Sequence, residues 1–363
     1  MHVFPQLLKL EQKYKTELVV IGVHSAKFPT ERDTENVRMA ILRYEIAHPV
    51  INDSQFRVWQ SYACRAWPTI MFIDPLGRIL GKHEGEIPYD AFDRLVGEMV
   101  KEYDIRGLID RRTLDYKGES QVGSPLSFPG KVLADEVSGH LFISDTNHNR
   151  IVQTTLDGEV VQTVGGVTSG FQDGDFVLSA FDHPQGLALG SGVLYVADTE
   201  NHAIRMVDLV EKYVETLVGT GNQASFGSNG GKLKETSLNS PMDLVLVQGV
   251  LYIAMAGPHQ LWSLDLSRRL VKPYAGSGRE NITDGPLALA ALAQPSGITT
   301  DGQALYFVDS ETSSVREADV DTSGRITTIV GQGLFEFGDV DGRQSQVRLQ
   351  HPLGIHWYEG ILF

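Results

Sequence analysis

A unit of about 55 residues recurs from residue 127 to the end of the chain. Each copy opens on a proline, at positions 129, 184, 241, 295 and 352, so the successive steps are 55, 57, 54 and 57 residues. A second column, at 145, 198, 255 and 309, keeps the same period and holds aspartate everywhere except at Met255. Two columns that share one period indicate an internal repeat, which restricts the fold to a repeat architecture.

Each unit contains the pattern of four short strands. The Pro-x-Gly opening is a turn into the first strand, and the apolar run 194–197 suits a second strand that is buried on both faces. Residues 204–208 alternate as a half-buried strand does, and 215–218 form a short outer strand that ends at a glycine-rich turn. This pattern predicts an all-β propeller over residues 127–363, with about four and a half blades present.

Polar residues follow the second strand of most units. A short side chain such as Thr199 beside Asp198 can hydrogen-bond backbone N–H groups and fix a tight turn, so a structural role is favoured. A catalytic or metal role stays open as the lesser alternative, because one copy is Met255. The candidate polar positions at the blade tips are Asp145, His148, Arg150, Asp198, His202, Arg205, Asp309 and Arg316.

Two further patterns recur but predict turns only. Asp-Gly pairs at 173, 284 and 341 lie in the loops that enter blades, and calcium would need several converging oxygens that a dipeptide does not supply. Glycine-rich triplets at 219, 276 and 331 follow outer strands and lack the Gly-Lys-Ser/Thr and the helix of a phosphate loop. We therefore predict no metal site and no cofactor.

Composition narrows the function classes. The net charge of −15, from 46 acidic and 31 basic residues, disfavours binding to a nucleic-acid backbone. No run of 18 apolar residues is present, so no membrane span is predicted. The single cysteine, Cys64, allows no internal disulfide, which favours a reducing compartment and a cytosolic location.

Residues 1–103 have a different, mixed pattern that predicts a separate α/β domain. Residues 104–126 are polar and irregular, and we interpret them as a linker. The predicted order is an amphipathic helix within 1–16, a strand at 18–23, a helix at 37–44, a strand at 49–52, a short helix at 56–62, a hairpin of 69–73 and 78–81, and a helix at 92–100.

This order, with Ala66-Trp67-Pro68-Thr69 directly before a strand, resembles the thioredoxin fold of the peroxiredoxin and thiol-disulfide-reductase type. The resemblance implies that Pro68 is cis and that the region Trp67, Pro68 and Thr69 adjoins the position of the redox disulfide. The first strand of that fold and its Cys-x-x-Cys are absent from this sequence. Cys64 lacks a resolving partner and is interpreted as a buried small hydrophobe.

Both halves together resemble proteins in which a thioredoxin-like domain leads into NHL repeats. The residues that carry this resemblance are 21–29, 67–69, 128–132 and 196–202. It implies a six-bladed propeller and a cytosolic protein. We expect the chain to be incomplete at both ends, since a thioredoxin-like strand is missing at the start and the last repeat stops within its first hairpin.

Two functions are carried forward. The first is a non-catalytic binding or scaffold protein whose propeller face or funnel holds a protein or small ligand. The second is a thiol-disulfide oxidoreductase whose Cys-x-x-Cys lies upstream of Met1. A propeller-type hydrolase would need metal-binding carboxylates and histidines at the central channel, and the repeat columns do not supply them.

Overall fold

The structure, a computed structural model, describes residues 3–85, 87–112, 114, 116, 118–119, 123–166, 168–225 and 227–363. Parts of the predicted linker, residues 113, 115, 117 and 120–122, lie outside the described residues, as do residues 1 and 2 of the predicted first helix. The chain forms two compact units, Met1–Ser124 and Pro125–Phe363, called here the N-terminal unit and the propeller unit.

The N-terminal unit alternates helices and short strands. Its elements are α1 (Val3–Lys13), β1 (Gly22–His24), a 3₁₀ turn (Pro29–Arg32), α2 (Thr34–Arg43), β2 (Val50–Asn52), α3 (Arg57–Ser61), β3 (Thr69–Ile73), β4 (Ile79–Glu84) and α4 (Tyr89–Ile105). Strands β1 and β2 pair in parallel, and β3 and β4 form an antiparallel hairpin. The predicted order of elements is therefore present, although the first strand is shorter than 18–23 and the last helix runs on to Ile105.

Local chemistry explains these elements. Helix α2 begins after Asp33, whose carboxylate accepts hydrogen bonds from the backbone N–H groups of Glu35 and Asn36, as an N-cap does. Helix α4 is amphipathic and places Phe92 and Val96 against Leu10 of α1. The ring of Phe72, on the hairpin, meets Phe92 edge-on at 5.8 Å between centroids.

The propeller unit contains four complete antiparallel blades. Their strands are, in blade 1, β5 (Val132–Asp135), β6 (His140–Asp145), β7 (Arg150–Thr155) and β8 (Val160–Val164); in blade 2, β9 (Gly174–Asp175), β10 (Pro184–Gly190), β11 (Val193–Asp198), β12 (Ala203–Asp208) and β13 (Tyr213–Val218); in blade 3, β14 (Gly231–Lys232), β15 (Pro241–Val247), β16 (Val250–Met255), β17 (Gln260–Asp265) and β18 (Leu270–Ala275); in blade 4, β19 (Gly285–Pro286), β20 (Pro295–Thr300), β21 (Ala304–Asp309), β22 (Ser314–Asp319) and β23 (Arg325–Val330). A hairpin, β24 (Trp357–Tyr358) and β25 (Ile361–Leu362), follows as the start of a fifth unit.

The sheet order shows how blades 2, 3 and 4 are closed at their outer edges. In blade 2 the order is β10-β11-β12-β13-β9, so the two-residue strand β9, which precedes the other four in the chain, covers the outer strand β13. Blades 3 and 4 repeat this arrangement. The segment that carries this short strand joins the outer strand of one blade to the first strand of the next, and we call it the incoming loop.

Apolar side chains fill the space between consecutive blades. One core cluster joins blades 1 and 2, a second joins blades 2 and 3, and a third joins blades 3 and 4. The second strands are buried on both faces, as the adjacent pairs Val196 with Ala197 and Ile253 with Ala254 show, and the prediction of a β-propeller is confirmed.

Candidate functional site

The predicted polar positions of blade 2 form a buried network. Arg205, on β12, donates from Nη1 to Oδ2 of Asp198 at 2.8 Å and from Nη2 to Oδ1 of Asp173 at 2.9 Å. Asp198 ends β11, whereas Asp173 belongs to the incoming loop. The side chains of Arg205 and Asp198 are fully buried, and the guanidinium lies 5.1 Å from the ring centroids of both Phe171 and Phe181. The network therefore ties the incoming loop to the body of the blade.

Blade 4 repeats this network residue for residue. Arg316 donates to Asp309 at 3.3 Å and to Asp284 of the incoming loop at 3.0 Å. It also donates to the backbone carbonyls of Ala291 and Thr283, which both lie within that loop. We call this arrangement of strand-end aspartate, strand arginine and loop aspartate the Asp–Arg–Asp network.

Blade 1 uses a variant with a shifted cation. Asp145 accepts from Nε of Arg150 at 2.7 Å, and the Nδ1 atom of His148 lies 2.8 Å from the same carboxylate oxygen. Arg150 follows its aspartate by five residues rather than seven, and Val152 holds the position that Arg205 holds in blade 2. Asp145 is fully buried and also accepts from the backbone N–H of Ser127 at 2.6 Å.

Blade 3 replaces all three members of the network together. Met255 stands for the strand-end aspartate, Trp262 for the arginine and Gly230 for the loop aspartate. Met255 and Trp262 are buried in the core between blades 2 and 3. A Cβ atom at Gly230 would lie 2.2 Å from the carbonyl oxygen of Val271, so a loop aspartate has no room here. An apolar pair can replace a buried ion pair without loss of stability, provided that no partner charge is left behind.

Burial and the arginine act in opposite directions on the strand-end carboxylates. The pKa of Asp198 is raised to about 6 and that of Asp309 to about 7, because the effect of burial exceeds the opposing effects of the adjacent arginine and backbone N–H groups. For Asp173 and Asp284, burial would raise the pKa, but hydrogen bonds from Thr216 and Thr328 together with the arginine bring it below its ordinary value. The aspartates closest to solvent thus supply the more firmly ionised ends of the network.

A second set of bonds joins each blade to the next. The residue four positions after the strand end has a left-handed backbone conformation, with φ between +48° and +56°. Its side chain accepts a hydrogen bond from the backbone N–H of the residue that precedes the next blade's proline. We call this bond the inter-blade latch. The pairs are Asn149 with His183 at 2.9 Å, His202 with Ser240 at 3.1 Å, His259 with Gln294 at 3.2 Å, and Ser313 with His351 at 3.2 Å.

The residue after the strand-end aspartate supports the same junction. Its hydroxyl donates to the carbonyl of the next blade's proline at 2.8 Å from Thr146, Thr199 and Ser310. Blade 3 has Ala256 at this position, which has no hydroxyl. The hydroxyl expected to fix a turn inside its own blade therefore bonds to the neighbouring blade.

The structure thus separates residues that the sequence pattern grouped together. Asp198, Arg205, Asp309 and Arg316 lie in two matching networks, while Asp145, His148 and Arg150 form the variant of blade 1. His202 belongs to the latch, and its counterpart in blade 1 is Asn149 rather than His148. The sequence pattern predicted only turns at Asp173 and Asp284. Each of these aspartates lies 32 residues before the arginine of its network, and this repeated spacing was the signal that could have paired them.

The predicted thioredoxin-type region lies in the N-terminal unit. The peptide between Trp67 and Pro68 is cis, and Thr69 begins β3. Nε1 of Trp67 donates to the carbonyl of Ser25 at 2.7 Å, and its ring lies against Trp59 at 4.4 Å between centroids. Burial raises the pKa of the Cys64 thiol, so this sulfur is not activated as a thiolate.

Within the part of the chain that the structure describes, no group of three or more histidine, cysteine, aspartate or glutamate side chains could hold a metal ion. Over the same residues, no helix is long and apolar enough to cross a membrane.

Comparison with known proteins fits this architecture. The NHL repeat model matches residues 181–205, which run from the incoming loop of blade 2 to the arginine of its network. NHL repeat-containing protein 2 of Gallus gallus is 40% identical over 98% of this chain, and that of Homo sapiens is 38% identical over 98%. The chain is an NHL-repeat protein related to NHL repeat-containing protein 2. It spans 54% of the length of the chicken protein and 53% of that of the human protein.

The similarity extends beyond animals. Protein SUPPRESSOR OF QUENCHING 1, chloroplastic, of Arabidopsis thaliana is 41% identical over 98% of the chain, which spans 36% of that plant protein. The stretch shared with NHL repeat-containing protein 2 and with the plant protein therefore includes both the N-terminal unit and the propeller unit.

Removing the arginine of the blade 2 network tests whether the charges act as a unit. We expect Arg205→Met to lower the free energy of unfolding by about 3–5 kcal/mol, because Asp198 stays buried without its cation. The double variant Asp198→Leu/Arg205→Met, which removes the two fully buried charges and leaves only the partly exposed Asp173, should recover at least about 1 kcal/mol of that loss. Urea unfolding measures both values, with exposed Arg268→Met as the control. A double variant less stable than the single one would contradict the network.

The latch gives a second prediction. His202→Ala removes the acceptor for the N–H of Ser240 and should lower the free energy of unfolding by about 1 kcal/mol. His202→Asn should lose less, because Asn149 makes the same bond in blade 1. Equal losses in the two variants, measured by urea unfolding, would show that the ring of the histidine acts through packing instead.

Proposed function

We propose that this chain is a non-catalytic binding and scaffold module, in which a latched NHL propeller presents a protein-recognition surface and a thioredoxin-like domain is attached to it. The observation that carries this proposal is the use of the blade-tip ionic side chains inside the blades. Arg205, Arg316 and their aspartates fix the incoming loops. A partner would therefore contact the other groups that these loops expose to solvent.

The outer edge of blade 2 exposes apolar side chains on two adjacent pinned turns. Val177 and Leu178 are 83% and 61% exposed, and both of their N–H groups donate to the carboxylate of Asp175. Asp175 pairs across the sheet edge with Tyr213 of β13, which is itself half-exposed. Val210, 78% exposed, lies in the turn before β13, where Asp208 accepts from its N–H. Large apolar side chains that are held rigidly in solvent mark interaction surfaces.

Charge indicates the kind of partner. Three carboxylates, those of Asp175, Asp208 and Glu211, lie in these two turns against one cation, Lys212, and the whole chain carries a net charge of −15. A protein surface with apolar groups flanked by lysine or arginine would complement this edge. We propose such a protein as the partner and the cytosol as its location, since one cysteine in 363 residues fits a reducing compartment.

Charge insertion tests the proposed surface. The double variant Val177→Glu/Leu178→Glu in the full-length protein should lose binding partners that the unchanged protein retains, as measured by quantitative cross-linking in cells. The matched control is Val137→Glu, because Val137 is 97% exposed in a blade 1 turn that Asp135 pins in the same way. Partners that bind the double variant and the control equally well would refute this edge as the recognition surface.

One observation favours a second function, thiol-disulfide oxidation and reduction in the full-length protein. The N-terminal unit has the element order of a thioredoxin-like domain, with the Trp67-Pro68-Thr69 region directly before its hairpin. The only cysteine of this chain, Cys64, has a raised pKa and no second thiol, so the reactive sulfurs would have to lie in a segment upstream of Met1.

Reduction of insulin by the full-length protein separates the two functions. We expect no turnover above the rate with free dithiothreitol if the protein is a scaffold. Turnover that survives Cys64→Ser would support the reductase instead, with its thiols outside this chain. Turnover that Cys64→Ser abolishes would contradict both assignments, because it would place the reactive sulfur within the chain.

A further inference from the structure

The residues two positions after each blade-opening proline form a column, called here the inner column, in which only two members are charged. The column reads Lys131, Gly186, Asp243, Gly297 and Gly354. Three of its positions carry no side chain, while the other two carry opposite charges. This column belongs to the first strands or to the residues just before them, and the sequence pattern assigned it no role in binding or catalysis.

The ammonium group of Lys131 is surrounded by oxygen atoms from three other repeat units. Its Nζ atom lies 3.2 Å from Oδ2 of Asp243 in blade 3. It donates to the carbonyl of Ser296 in blade 4 at 3.1 Å and to the carbonyl of Leu353 in the fifth unit. An ammonium has three donors, and three acceptors meet it here. The side chain of Lys131 is only 14% exposed.

The carboxylate in this cage is held in place from both sides. Oδ1 of Asp243 accepts from its neighbour Leu244, and Oδ2 accepts from the backbone N–H of Ile298 in blade 4 at 3.0 Å. On the other side, a Cβ atom at Gly186 would lie 2.3 Å from Cα of Asp243, so only glycine permits this approach. The side chain of Asp243 is 10% exposed. The oxygen positions are therefore set by the backbone rather than by Lys131 itself.

One carboxylate oxygen and two backbone carbonyl oxygens are ligands that a hard cation such as calcium accepts, with water completing the shell. Open space adjoins the cage, because a Cβ atom at Gly354 would meet no atom within 4 Å. We propose that this cage is a cation site whose resident cation is the ammonium of Lys131, and that it binds a free metal cation once this ammonium is removed. The native chain thereby holds its inner strands together without a bound ion at this position.

Lys131→Ala tests the proposal in the full-length protein. We expect its melting temperature to be lowered in choline chloride and to rise with calcium chloride at matched ionic strength, by about 3 °C or more for each tenfold increase above the dissociation constant. The unchanged protein and Lys234→Met, which removes an exposed lysine, should show no such rise. Lys131→Ala/Asp243→Asn should lose the calcium response. A Lys131→Ala protein that responds no more than the unchanged protein, or a double variant that responds equally, would overturn the site.

A second measurement does not depend on the folding of any variant. In the native protein, mass spectrometry after brief amine acetylation should show Lys131 modified at least tenfold more slowly than exposed Lys234. Modification of Lys131 at the rate of Lys234 would show that its ammonium is not held in the cage, and would overturn the proposal even if a variant bound calcium.

Discussion

The backbone N–H that precedes each blade-opening proline imposes the constraint on which the propeller unit depends. Proline has no N–H, so the residue before it carries the last donor ahead of the first strand. This donor sits at the junction of two blades, where leaving it unpaired would cost about 1–3 kcal/mol. A side chain of the preceding blade meets it at each of the four described junctions, from Asn149 to Ser313. Each blade thus fixes the start of the next, while the apolar clusters between them supply most of the buried surface.

Blade 3 shows that the latch and the Asp–Arg–Asp network are separable. In this blade Met255, Trp262 and Gly230 stand in place of the three network residues, yet His259 still makes the latch. The network holds the incoming loop within one blade, which apolar packing can also do, whereas the latch satisfies a donor that every blade possesses. A side chain that serves a fixed backbone group cannot be replaced by a hydrocarbon, and this difference explains why one feature varies while the other recurs.

Periodicity made the blade architecture predictable, because the strands, the turns and the proline column repeat with one spacing. The order of helices and strands in the N-terminal unit was likewise readable from apolar patterns, but the length of β1 was not. Only Gly22 to His24 pair with β2, since strand length depends on the partner and not on the apolar run alone. The burial of Arg205 could not be read from its residue type, because arginine is almost never fully buried without partners. Those partners, Asp173 and Asp198, come from segments on both sides of the first strand.

Polar residues that hold this fold together differ from those that could recognise a partner in whether their spatial neighbours recur with them. When the spatial neighbours of a charged side chain recur with it in another repeat, that side chain is better explained as part of a structural network than as a recognition residue. Asp173 recurs with Arg205, as Asp284 does with Arg316, and so they belong to the fold. Lys131 and Asp243 do not recur, since glycine holds their column in the other units, and apart from each other they contact backbone carbonyl and N–H groups. Val177 and Leu178 are exposed and belong to no repeat column described above, and in the proposal they are the side chains that a protein partner would contact.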